Sequence, residues 1–98
     1  MISAKEATTM TNVALDTRIV AAQLKGKDVI NIIEQYIKIA AQKGEFKTEF
    51  YPFNIYSFTS EPEKRHYITT IVSVLELEGY KIKNHPSNES IEITWPYI

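Results

Sequence analysis

The sequence contains no cysteine, which excludes disulfide scaffolds, thiolate metal knuckles, iron–sulfur centres and thiol nucleophiles. Glycine is scarce as well. Its three copies, Gly26, Gly44 and Gly79, are too far apart to build a glycine-rich phosphate loop. A net charge of −1 lacks the basic excess of a phosphate-tracking surface, so nucleic acid is not an expected partner. No segment approaches the ~20 apolar residues that cross a bilayer, and the first six residues lack the basic start and apolar stretch of a secretory signal. Neither a membrane nor export is expected. Histidine and aspartate, two of each, are too few and too dispersed to suggest a metal site or a catalytic group with its orienting partner. No catalytic, cofactor-binding or metal-ligating residue is assigned, and no enzyme activity is expected.

What the chain does have is apolar material: 44% of its 98 residues, rich in isoleucine, tyrosine and phenylalanine. That is enough to offset conformational entropy by burial in one domain spanning 1–98, and too little for two.

Ser3 with Glu6 forms a capping pattern that starts a helix near Ala4. Thr8, Thr9, Thr11 and Asn12 compete for their own backbone, so this helix is expected to be short and to end near Val13. A second helical segment begins around Asp16 or Thr17. It carries two stripes, one of Val13, Thr17, Val20 and Leu24, the other of Leu15, Ile19 and Ala22, and a small fold cannot use both as large contacts. At Gly26 the segment bends, or it restarts with Asp28 as cap.

Residues 29–41 place Val29, Ile30, Ile32, Ile33, Tyr36, Ile37, Ile39 and Ala40 on one broad arc, predicting a central helix that stops at Lys43 and Gly44. The arc is wider than one sheet face requires, which implies a second partner, either another helix or another copy of the chain. Phe46, Thr48 and Phe50 alternate with polar residues as a strand up to Pro52, and the aromatic stretch from Phe53 to Phe58 is either a second short strand or a loop over the core edge. Ser60, Pro62 and Glu63 open a helix over 61–78 that buries Ile68, Ile71, Val72 and Leu75, leaves His66 in water and closes at Gly79 with Tyr80. Tyr80 and Ile82, then Ile91, Ile93 and Trp95, read as a hairpin around a turn at 84–88 that holds His85. The fold class is therefore α+β, with N-terminal helices followed by strand-helix-strand-strand in a small, mainly antiparallel three-stranded sheet packed on helices.

Two surfaces are candidates for function. Ile30, Ile32 and Ile39 on the wide arc, with Tyr67, Val74 and Leu77 on the second long helix, are the expected partner-binding residues. Tyr51, Phe53 and Tyr56 with Lys64 and Arg65 have the composition of a nucleotide or phosphate contact, because aromatic faces stack on bases and cations hold phosphate.

Four stretches also resemble known sequences: Ile2 Ser3 Ala4 Lys5 Glu6 Ala7 at the start, Lys43 Gly44 Glu45 Phe46, Gly79 Tyr80 Lys81 Ile82, and the alternating close from Ile91 through Ile93 to Trp95. With these the chain resembles a family of short tailed-bacteriophage proteins, some of them minor virion components. The likeness spans nearly the whole chain and departs from it at 51–60, which is longer here. It implies a shared fold and says little about a site; taken with the apolar surfaces above, the expected role is contact with other phage proteins or with itself as a homo-oligomer, in the host cytoplasm or the virion. An alternative role is counter-defence, by binding a host defence protein or sequestering a signalling nucleotide.

Overall fold

The computed structural model describes residues 1–85 and 89–96. Its elements follow in the order α1 (Ala4–Gln42), β1 (Lys47–Phe50), a 3₁₀ turn (Pro52–Asn54), α2 (Glu61–Leu77), β2 (Lys81–His85) and β3 (Ser90–Thr94). The architecture is the expected α+β arrangement, but the N-terminal portion differs. Instead of two or three short helices there is a single helix of 39 residues.

Each expected break has a different use. The hydroxyls of Thr8, Thr9, Thr11 and Thr17 donate to the carbonyls four residues earlier at 2.9–3.1 Å, so they add to the helix ladder instead of diverting it. Gly26 is neither hinge nor stop. A Cβ there would lie 3.0 Å from the Tyr67 carbonyl oxygen and 3.1 Å from Thr70 Cβ, so glycine lets α1 and α2 touch backbone to backbone. Asp28 caps nothing and instead accepts a 2.6 Å hydrogen bond from the Tyr56 hydroxyl.

The termini behave as the sequence predicts. Ser3 Oγ accepts from the Glu6 amide at 3.1 Å and Ser60 Oγ from the Glu63 amide at 3.4 Å. Gly44 and Gly79 take φ of +81° and +97°, and the Glu45 and Tyr80 amides then reach back to the carbonyls of Ala40 and Leu75.

Gln23 meets His66, Gly26 meets Tyr67 and Thr70, and Ile30 and Ile37 share a cleft with Val74 and Leu75. Contacts advance together along both helices, so α1 and α2 run in the same direction. Both lie on one face of a sheet of order β1-β3-β2, in which β3 is antiparallel to each neighbour. Phe50 pairs with Ile91, and Ile93 sits between Thr48 and Ile82, which puts the apolar residues on the helix side. The opposite face carries Lys47, Glu49, Lys81, Lys83 and Glu92, as an antiparallel sheet with one wet face should.

Ala22, Val29, Ile33, Phe50, Tyr67, Ile71, Leu75, Ile91 and Ile93 form the core. Ile68 and Val72, expected in the buried stripe of α2, are half-buried, because that stripe is centred one position earlier on Tyr67. The aromatic stretch takes the loop alternative. Pro52 starts a 3₁₀ turn whose carbonyl accepts the Tyr67 hydroxyl at 2.7 Å, and the rings of Phe53, Tyr56 and Phe58 pack around Tyr67 with centroids 4.8–6.2 Å away. The turn expected at 84–88 falls partly on residues 86–88, outside the described residues, while Asn84 and His85 belong to β2.

Candidate functional site

Burial along α1 begins at Ala22 and recurs at Gly26, Val29, Ile33, Ile37 and Ala40. Residues 4–21 contribute nothing that is buried, although Leu15 and Ile19 are half-covered. A helix of 39 residues is about 58 Å long at 1.5 Å per residue. That length accounts for a molecule measuring 64 × 25 × 17 Å. The first half of α1 is a stem that projects past the body.

On this stem Met10, Val13, Val20 and Leu24 are 62%, 62%, 54% and 61% exposed. With Thr17 they follow one another at spacings of three, four, three and four residues, the repeat that keeps a single stripe facing a partner helix. Two residues of helix turn the direction by about 200°, so Val20 and Leu24 face away from Ala22 and Gly26. The stripe lies opposite the face docked on the body. It ends in charge at both extremes, Glu6 before Met10 and Lys27 after Leu24.

The partner-binding residues expected from sequence are divided by the fold. Tyr67 is fully buried in the core and cannot reach a partner, because the loop at 51–58 closes over it. Ile30 and Ile32 pack against the core, and Val74 is half-buried in a cleft with Ile30, Ile37 and Tyr80. Ile39 and Leu77 remain open, 52% and 87% exposed. They do not make one patch: Ile39 lies beside β1, in a cleft with Tyr36 and Thr48, while Leu77 ends α2 next to the opposite sheet edge, β2. The wide arc of residues 29–41 is covered chiefly by α2 and the sheet of the same chain.

Of the nucleotide-contact residues, Phe53, Lys64 and Arg65 converge on a shallow cleft of about 380 Å³, whose walls also include Ile68, Glu61 and Glu89. Lys64 is 3.6 Å from Glu61, so two carboxylates balance the two cations. Tyr51 and Tyr56 are elsewhere. Tyr51 donates to Glu49 at 3.3 Å. Tyr56 is held by Asp28 and has the Lys25 ammonium 5.4 Å from its ring centre. The bond to Asp28 raises the Tyr56 hydroxyl above the ordinary phenol value, and burial does the same to Tyr67.

Both histidines are more engaged than their sequence context suggests. His66 Nδ1 is 3.3 Å from Gln23 Nε2 in the helix interface, and His85 Nε2 is 3.2 Å from Glu92 Oε2 on the wet face of the sheet. Among the described residues no group of three His, Asp or Glu side chains could hold a metal ion, and no helix is long and apolar enough to cross a membrane. The Val13–Thr17–Val20–Leu24 stripe is visible in the sequence but lies outside the partner-binding residues expected there. The signal that could have placed it among them is the alternation of three and four continued back to Met10.

No protein-family model, curated protein or solved structure matches the chain.

Proposed function

We propose that this protein is a non-enzymatic bacteriophage protein that works through protein–protein contact, as a virion-associated or self-assembling structural component. The observation that carries this reading is the stem of α1. Four large apolar side chains on one face of a helix, each more than half exposed, form a surface that gains from being covered. Four of the groups able to do acid–base chemistry have structural partners: Asp28 holds Tyr56, Glu49 accepts from Ser90 at 2.7 Å, and His66 and His85 pair with Gln23 and Glu92. The phage origin is supported by the resemblance in residues 2–7, 43–46, 79–82 and 91–95, which supply a helix cap, two helix stops and the central strand.

The test is mass spectrometry of purified particles of the encoding phage, combined with the mass of the protein in solution. Recovery at a fixed ratio to the major capsid protein, or self-association in solution, supports the reading. A monomer absent from particles overturns it.

The counter-defence alternative is favoured by one observation, the convergence of Phe53, Lys64 and Arg65 on one cleft. Glu61 and Glu89 in the same walls oppose an anion, which makes it the second choice. Heat on calorimetric titration with cyclic dinucleotides, lost on Arg65→Ala, would promote it.

A further inference from the structure

We infer that the stem stripe is a self-recognition seam, on which two copies of this chain pair antiparallel about a two-fold axis passing near Thr17. This rests on the contact reading above and names the partner and the residues. The first reason is the spacing. A stripe recurring at three and four residues is what a second helix covers, as each side chain enters a hole between four on the facing helix.

The second reason is the order of residues along the stripe: Glu6, Met10, Val13, Thr17, Val20, Leu24, Lys27. Read from either end it has apolar residues on both sides of a central threonine and a charge at each tip, of opposite sign at the two tips. An antiparallel pair sets Met10 against Leu24 of the second copy, Val13 against Val20, and Thr17 against itself. Glu6 then meets Lys27 at both ends. A parallel pair would stack Glu6 on Glu6 and Lys27 on Lys27. Neither charge is in an ion pair with a described residue of its own chain, so both are available. Charge therefore selects the antiparallel arrangement.

The fold leaves room for it. The seam faces away from the body, so the partner stem runs along the outer side of α1 and the two bodies sit at opposite ends. Residues 4–30 of each copy overlap, and beyond them Asn31, Gln35 and Lys38 make the same face polar. For a helix about 10 Å across and an overlap of about 40 Å, contact covers on the order of 400–600 Å² per copy. That falls short of the ~800 Å² per partner typical of a stable complex, so the pair forms and dissociates with concentration.

The test uses the full chain, which has no cysteine of its own. Sedimentation from micromolar to near-millimolar concentration should pass from monomer to dimer. Val20→Glu, on the solvent side of the stem, should leave circular dichroism and the melting temperature of the monomer unchanged and weaken the dimer by roughly tenfold or more. Lys27→Glu should weaken it less, and Glu6→Lys with Lys27→Glu in one chain should restore it. Under oxidation, Met10→Cys protein mixed with Leu24→Cys protein should cross-link to the other faster than either does to itself. The inference is overturned by a monomer at every concentration, by a dimer indifferent to Val20→Glu, or by Met10→Cys linking mainly to itself. A monomer that is nonetheless incorporated in phage particles overturns the pairing and leaves the contact reading standing. A monomer absent from them overturns both.

Discussion

The two halves of α1 have the same apolar rhythm and opposite circumstances. From Ala22 to Ala40 the repeating residues are sealed under α2 and the sheet, whereas from Met10 to Leu24 an equally regular set looks into solvent. A helical stripe thus declares that a face exists and leaves open what covers it. Where α2 runs alongside, the cover comes from the same chain; on the stem no described residue supplies it.

The largest expected effect separates the halves directly. Ile33→Ala, in a fully buried position, should cost about 2–5 kcal/mol in denaturant unfolding. Val13→Ala on the stem should stay within about 0.5 kcal/mol when measured on the monomer. Equal losses at the two sites would mean that the stem folds back onto the body in solution.

Gly26→Ala comes next. The new Cβ would press on the Tyr67 carbonyl, and overpacking costs about 1–3 kcal/mol. Better helix propensity returns about 1 kcal/mol, leaving a net loss of about 1 kcal/mol in thermal or chemical unfolding. A net gain would show that the helices can separate there without penalty.

Tyr67 gives a pH test of the buried half. Its folded pKa is raised, so above the unfolded value of about 10 the native state retains a proton that the unfolded chain releases. Stability is complete below about pH 10 and declines as pH rises beyond it. Tyr67→Phe should lower neutral-pH stability by about 1 kcal/mol, through the lost bond to the Pro52 carbonyl, and flatten the alkaline decline. An unchanged decline would assign it to other groups.

The smallest effect lies at the tip of the stem. Ser3→Ala removes the cap worth about 1 kcal/mol to the helix end, and hydrogen exchange should quicken at the amides of residues 6–12 while those of residues 29–40 stay unchanged.

The pattern of what could be read from the sequence follows the range of the forces involved. Caps and stops at Ser3, Gly44, Ser60 and Gly79 act over four or five residues, and the strands alternate locally, so these were legible. Gly26 is not legible because its reason lies on another helix, at Tyr67 and Thr70, and local propensity alone treats such a glycine as a break. The threonines at 8–17 misled for the opposite reason. Their hydroxyls can bond within a helix as readily as outside it. Of the two covers open to the wide arc on residues 29–41, another helix and another copy of the chain, the structure supplies the helix, α2, and so removes Ile30 and Ile32 from the partner surface; Tyr67 is hidden because the loop at 51–58 closes over it, which nothing local announces. The stem stripe was visible as a pattern, and only its exposure makes it a candidate site.

The strand order has a consequence for how the chain reaches its native state. The middle strand is the last of the three described strands in chain order, and the two outer strands make no ladder with each other. Until Ser90 to Thr94 leave the ribosome, the sheet has no centre on which to assemble, and α1 and α2 have no completed floor beneath them. Closure therefore waits for that strand and requires, besides the local ladder of β2 with β3, pairings between residues more than forty positions apart such as Thr48 with Ile93, which slow the folding of a chain so rich in helix.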